Sequence, residues 1–182
     1  VPLSVQRAYS QARLEVSAED VDAAVDRIAV RITVALQDKN PVLLTVLQGG
    51  LVFSGMLMRR LVFPLEQGYV HVGRYGQQTS GQKLNWHGHQ HPELAGRCVL
   101  IVDDILDEGI TLNALVAWAR DEGAADVQVA VLVEKQVSRQ TTISAACYVA
   151  LDCPDSFLIG CGMDFQGYGR NLPGIYALDE EV

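Results

Sequence analysis

The sequence predicts an α/β fold: a parallel core sheet flanked by helices on both faces, with a small carboxyl-terminal hood. Three observations predict it. Short apolar runs that end in glycine or acid alternate with stretches of helical spacing, the pattern of strand and helix units in a covered parallel sheet. The chain has 182 residues, 49% of them apolar, which suits a single domain with a buried core and is too short for two ordinary ones. Beyond residue 153 the rhythm changes, and "SFLIGCGMDFQGYGRNLPGIYAL" is broken by glycines and a proline into short pieces.

The elements follow in order. Ser17-x-x-Asp20 has the form of a capping box, and Val21, Val25, Ile28, Ile32 and Leu36 recur at helical spacing, so the pattern predicts a helix over 18–38. Pro41 marks its end. "VLLTVL" (42–47) reads as a buried strand that meets Gly49-Gly50, and "LVFSGMLMRRL" as the covered helix behind it. "YVHVGRY" (69–75) reads as a second strand. Residues 76–96, rich in Gly, Gln, Ser and His without a clear period, read as a long, partly mobile loop. A strand over 98–103, a helix over 111–122 stopped by Gly123, and strands over 127–133 and 147–153 complete the core. The hood falls mainly within 150–182.

Composition narrows the function. Fourteen basic against twenty-two acidic residues give a net charge of −8 with no basic cluster, which disfavours binding to a nucleic-acid backbone. No window approaches the roughly 18 consecutive apolar residues of a membrane helix, and the first residues lack a secretory apolar core. Cys98, Cys147, Cys153 and Cys161 form no CxxC pair, as expected of reduced thiols in a cytosol. A soluble cytoplasmic protein without membrane or nucleic-acid partners is expected.

Chemistry concentrates in "VLIVDDILDEGITL" (99–112). In open parallel sheets ligands bind at the carboxyl ends of strands, where Asp103 and Asp104 stand. The loop Asp107-Glu108-Gly109-Ile110-Thr111 then enters a helix, whose first N–H groups attract an anion. Spacing alone leaves a second reading open, in which the acids are solubilising strand-end residues and Asp107 is a helix cap.

The same string resembles the motif of the type I phosphoribosyltransferases: apolar strand, two acids, two apolar residues, then an acid, a small polar residue, glycine and threonine. "VLQGGLVFSGMLMRRL" (46–61), "VLVEK" (131–135) and "YVALDCPDSFLIGCGMDFQGYGRNLPGIYAL" (148–178) are similar to further segments of its hypoxanthine-guanine branch. The resemblance implies the phosphoribosyltransferase type I fold and a purine-salvage reaction. Hypoxanthine or guanine would combine with phosphoribosyl pyrophosphate and Mg²⁺ to give IMP or GMP and pyrophosphate.

It also implies roles. Asp103 and Asp104 match the acids that hold the ribose hydroxyls directly or through magnesium, and Asp107 the general base for the purine proton. Residues Asp107, Glu108, Gly109, Ile110 and Thr111 match the 5′-phosphate loop. Leu47, Gln48 and Gly49 match the pyrophosphate loop, where the family often has a non-proline cis peptide. Arg170 matches a pyrophosphate contact, and Tyr75 the tyrosine of the closing loop. Lys135 matches the lysine that donates to the purine 6-oxo group, Phe157 the stacking aromatic, Leu158 the backbone site beside the purine edge, and Asp164 a ligand of a second magnesium. Homodimers or homotetramers are usual, and the apolar stretch 51–63 offers a contact face.

Three features depart from or lie outside that pattern. Glu108 replaces a threonine and is expected to turn outward while its amide still serves the phosphate; Ile110 replaces a polar residue; Gln48 stands where relatives carry a basic one. "HGHQH", with His87, His89 and His91, reads as solvated loop, since no cysteine or carboxylate completes a metal set. Two alternatives compete with the salvage enzyme: a sensor of phosphoribosyl pyrophosphate or nucleotide on the same fold, and a xanthine-preferring transferase.

Overall fold

The computed structural model describes residues 1–73, 85–137 and 142–178. Along the chain come α1 (Leu3–Gln11), β1 (Arg13–Val16), α2 (Ala18–Leu36), β2 (Val42–Leu47), α3 (Gly50–Met58), β3 (Glu66–Gly73) and β4 (Asn85–Gln90). They are followed by β5 (Cys98–Leu106), α4 (Ile110–Asp121), β6 (Asp126–Lys135), β7 (Ala146–Cys153), β8 (Phe157–Ile159) and β9 (Ile175–Leu178).

Side-chain period decides how these pack. Ser17 Oγ accepts the Asp20 N–H at 3.1 Å and starts α2, whose Val21, Val25, Ile28, Ile32 and Leu36 form one buried stripe. The central strands are apolar on both faces because both are covered. Leu43, Leu100, Val102, Ala130 and Leu132 pack with α2 and α3 residues such as Phe53 and Leu57. Their neighbours Val42, Leu44, Val99, Ile101, Val129 and Val131 pack on the other face with Leu112, Leu115, Val116 and Ala119 of α4.

The main sheet has the order β4-β3-β2-β5-β6-β7, parallel except for the antiparallel β3–β4 pair. From β2 the chain passes through α3 to β3 on one side, whereas β5 lies on the other side of β2. Connections leaving in opposite directions open a crevice above the carboxyl ends of β2 and β5. A second sheet, ordered β1-β9-β8, forms the hood. Its strand β1 comes from the amino-terminal part of the chain, where the sequence reading assigned no element.

One expectation needs correction. Residues 85–90, read as loop, form the strand β4 on the edge of the sheet. The segment lacks the apolar alternation of a covered strand because an edge strand takes its main-chain partners from one neighbour and exposes much of its surface. Aromatic packing holds it: the Trp86 and His91 rings lie 5.0 and 5.3 Å from that of Trp118 on α4, and His89 stacks on His91 at 5.1 Å. Residues 91–96 of the expected loop belong to no strand or helix, as read, whereas residues 76–84 and Tyr75 lie outside the described residues.

Cys98, Cys153 and Cys161 are buried, and none of the four cysteines is in a disulfide. Burial pushes the Cys98 and Cys161 thiols up to about 11, which leaves them poor nucleophiles. No helix among the described residues is long and apolar enough to cross a membrane.

Candidate active site

The crevice above β2 and β5 is a cleft of about 380 Å³. Its lining joins Leu47, Gln48 and Gly49 after β2, Asp103, Asp104 and Asp107 at the end of β5, Gly109 and Thr111 at the start of α4, and Asp164 and Arg170 from the hood. Val46, Val72, Ile105, Leu106 and Leu112 supply apolar walls that the sequence reading did not single out. Their signal was ordinary core periodicity.

Each wall has a local cause. β5 continues through the acid pair to Leu106, so Asp103 and Asp104 point to opposite sides of a strand rather than out of a loop. Gly109 adopts the left-handed conformation at φ 79°, which turns the chain from β5 into α4, and Asn113 N–H closes the first helical turn on its carbonyl at 2.9 Å. The N–H groups ahead of that bond have no helical partner and face an incoming anion. The Leu47–Gln48 peptide is cis.

The hood reaches the cleft through a compact set of bonds. Arg170 Nη2 lies 2.6 Å from Asp164 Oδ1, its Nη1 donates to the Gly162 carbonyl at 2.5 Å, and the Gly167 N–H donates to Asp164 Oδ2 at 2.6 Å. Asp164 thus ties a hood turn and lines the cleft. Gly162 rests on the Leu47–Gly49 turn so closely that a Cβ there would come within 2.0 Å of the Gly49 carbonyl oxygen. A Cβ on Gly49 would in turn lie 2.0 Å from Asp104 Oδ2, so both positions are restricted to glycine by space.

Burial pushes the Asp104 carboxyl above the usual carboxylate range, against the Asp103 side chain, the Arg170 guanidinium and the backbone N–H groups of Ile105 and Asp104. A raised carboxyl pKa means that the fold binds this proton more tightly than the unfolded chain does. The stability linked to it is complete below the ordinary value of about 4 and is lost as pH rises through the folded value. Asp104→Asn is therefore expected to melt a few degrees above the parent near pH 7.5, with the gap closing toward pH 4. Calorimetry across that range checks it.

The purine-side candidates are placed differently. Lys135, Phe157 and Leu158 are not on the lining of this cleft; they stand at the end of β6 and along β8. Lys135 Nζ lies 3.5 Å from Asp155 Oδ1. Phe157 is 48% exposed and meets Phe165 edge to face at 5.8 Å, whereas Leu158 is buried. Asp155 and Phe165 were not singled out from the sequence; their signal lies in contacts that no local spacing carries.

Glu108 and Ile110 are exposed and absent from the cleft lining. Since the Glu108 carboxylate is outside the cleft, Glu108→Thr is expected to tighten donor binding by less than about tenfold, the scale of one screened charge interaction. Isothermal titration with phosphoribosyl pyrophosphate reads this directly. His89 and His91 pack around Trp118, and His71 and His87 approach at 4.8 Å. Among the described residues no group of three or more His, Cys, Asp or Glu side chains is arranged to hold a metal by itself.

Comparison with known proteins agrees with this geometry. Residues 17–166 match the family model described as "Phosphoribosyl transferase domain". The hypoxanthine-guanine phosphoribosyltransferase of Streptococcus pneumoniae is 32% identical over 168 residues, 92% of this chain and 93% of that one. The hypoxanthine-guanine-xanthine phosphoribosyltransferase of Tritrichomonas foetus is 30% identical over 90% of both chains. The solved structure of hypoxanthine phosphoribosyltransferase from Trypanosoma cruzi in complex with the product IMP superposes with a TM-score of 0.86 at 30% identity, covering 94% of this chain and 97% of that one. With fold, cleft and relatives in agreement, this chain belongs to the phosphoribosyltransferase family, in the branch of the hypoxanthine-guanine enzymes.

Proposed function

We propose that this protein is a purine-salvage transferase, moving the 5-phosphoribosyl group from phosphoribosyl pyrophosphate to hypoxanthine or guanine with release of pyrophosphate. The observation that carries the reading is the meeting, in one cleft, of the β5 acids, the start of α4 and the Leu47–Gly49 turn with Arg170 of the hood. An anionic sugar needs a phosphate cradle at one end and a leaving-group cradle at the other, with acids between them for the ribose hydroxyls.

The division of labour follows from position. The helix start at Gly109, Ile110 and Thr111 binds the 5′-phosphate through N–H groups and the Thr111 hydroxyl, while Asp103 and Asp104 accept hydrogen bonds from the ribose hydroxyls. Amides of the Leu47–Gly49 turn and the Arg170 guanidinium hold the pyrophosphate, and Asp107 takes the purine proton as the new bond forms. Donors fixed where charge develops lower the barrier because they need no reorganisation. Lys135 donates to the 6-oxo group, and Phe157 offers a flat apolar face to the base.

Four carboxylates and one guanidinium line the cleft, a donor set that repels a bare pyrophosphate and suits a divalent cation shared with it. Asp103, Asp104 and Asp164 would hold Mg²⁺. When bound, the ion neutralises charge on the leaving group. Cytoplasmic location accords with the reduced thiols, and assembly into a homodimer or homotetramer accords with the exposed apolar side chains Leu51 and Val62.

Turnover with phosphoribosyl pyrophosphate and Mg²⁺ against hypoxanthine, guanine, xanthine and adenine tests the reading. Nucleotide formed from hypoxanthine or guanine supports it, and xanthine used in preference to both would reassign the base. No turnover despite measurable donor binding would sink the enzyme in favour of a sensor.

A further inference from the structure

Lys135 closes β6 opposite Cys153, the last residue of β7. Its side chain is only 14% exposed, and its Nζ lies 3.5 Å from Asp155 Oδ1. Asp155 occupies the turn that joins the main sheet to the hood. That turn is fixed at both ends: the Gln136 N–H donates to the Cys153 carbonyl and the Ser156 N–H to the Pro154 carbonyl, each at 2.9 Å. Two residues beyond the acid, Phe157 opens β8. One short turn thus carries both an acid on the lysine and the aromatic ring next to it in the hood.

We propose that Asp155 is a positioning residue that sets base specificity by holding the Lys135 ammonium where the purine 6-substituent arrives. The inference rests on the salvage reading above and deepens it. An ammonium carries three donors and no acceptor, so it can keep Asp155 on one N–H and give another to a 6-oxo oxygen. A 6-amino group brings only more donors to that spot, and the held lysine cannot turn aside to make room. Without the acid, the flexible four-carbon stem loses one contact that aims its charge. The 6-oxo base then loses a preorganised charge-assisted hydrogen bond, and the penalty on a 6-amino base relaxes.

Asp155 is itself 64% exposed, so substitution there leaves the core untouched. The test is steady-state kinetics of Asp155→Asn, Asp155→Glu, Lys135→Met and the double variant Lys135→Met/Asp155→Asn. Asp155→Asn should raise KM for hypoxanthine and guanine about tenfold, the worth of one hydrogen bond to a charged group, with kcat and the KM for phosphoribosyl pyrophosphate changed less than about twofold. Its preference for guanine over adenine should fall, Asp155→Glu should recover most of the loss, and Asp155→Asn should add nothing once Lys135 is methionine. Base KM values within twofold of the parent would overturn the inference. An equal rise in donor and base KM would also overturn it, by marking Asp155 as a support of the hood. A parent protein that uses no 6-oxopurine would overturn this inference together with the salvage reading, whereas an active parent matched by Asp155→Asn sinks the inference alone.

Discussion

Alanine at position 107 is expected to lower kcat with hypoxanthine by about 10²–10³-fold, the usual worth of a placed general base. Asp107 lies where β5 hands over to α4, half-buried on the cleft wall, one residue beyond the strand that carries Asp103 and Asp104. Its neighbours Gly109 and Thr111, proposed above as the phosphate cradle, line the same wall, so a carboxylate here would be held at a fixed distance from the sugar whatever base is bound. Asp107→Asn separates the roles, since an amide keeps the shape and one accepting oxygen but cannot take a proton. A comparable loss of kcat in both variants, with donor binding by titration within about threefold of the parent, would establish proton transfer as the lost function. Full activity in Asp107→Asn would remove Asp107 from that role.

Gly162→Ala is expected to cost about 3–5 kcal/mol of stability and to weaken donor binding severely, because two independent penalties fall on one residue. The backbone at φ 112° is in a region that side chains disfavour, and the new Cβ would sit 2.0 Å from the Gly49 carbonyl oxygen and 3.1 Å from its carbon. Neither partner can yield cheaply. Gly49 is held under Asp104, and the Gly162 carbonyl accepts from Arg170. Relief therefore lifts the hood off the Leu47–Gly49 turn and takes Arg170 with it. Gly167→Ala is the control: its φ of 84° brings the backbone penalty, but open space surrounds the position. It should lose about 1–2 kcal/mol and keep its donor affinity. Equal donor binding by both variants would show that hood and turn move independently.

How much of this could be read from the residues depended on distance along the chain. α2, β2, β5, α4 and β6 were legible because their periods and caps are local, and the acid cluster was legible because strand, glycine and helix start are contiguous. β4 and β1 were not. A polar edge strand and a four-residue strand exist only through partners, β3 in one case and β9 in the other. Likewise Asp155 reads as one more acid in a turn until β6 and β7 bring Lys135 beside it, and no sequence pattern says that Gly49 and Gly162 touch. The cleft itself mixes the two kinds: its wall from Asp103 to Leu112 is one continuous string, whereas Asp164 and Arg170 reach it only through tertiary docking.

That division gives the protein an order of assembly. The strands and helix that shape this wall, β2, β5, α4 and β6, are all present once residues up to 135 have left the ribosome. The hood sheet cannot close then, because β1 pairs through Arg13 with Ala177 of β9, which is made after residue 135. A nascent chain therefore carries an early strand, β1, that waits for β9, and contacts across so long a separation form late. Arg170 meets the turn after β2 only when that strand is captured, so a half-made chain can build the start of α4 without the hood guanidinium beside it.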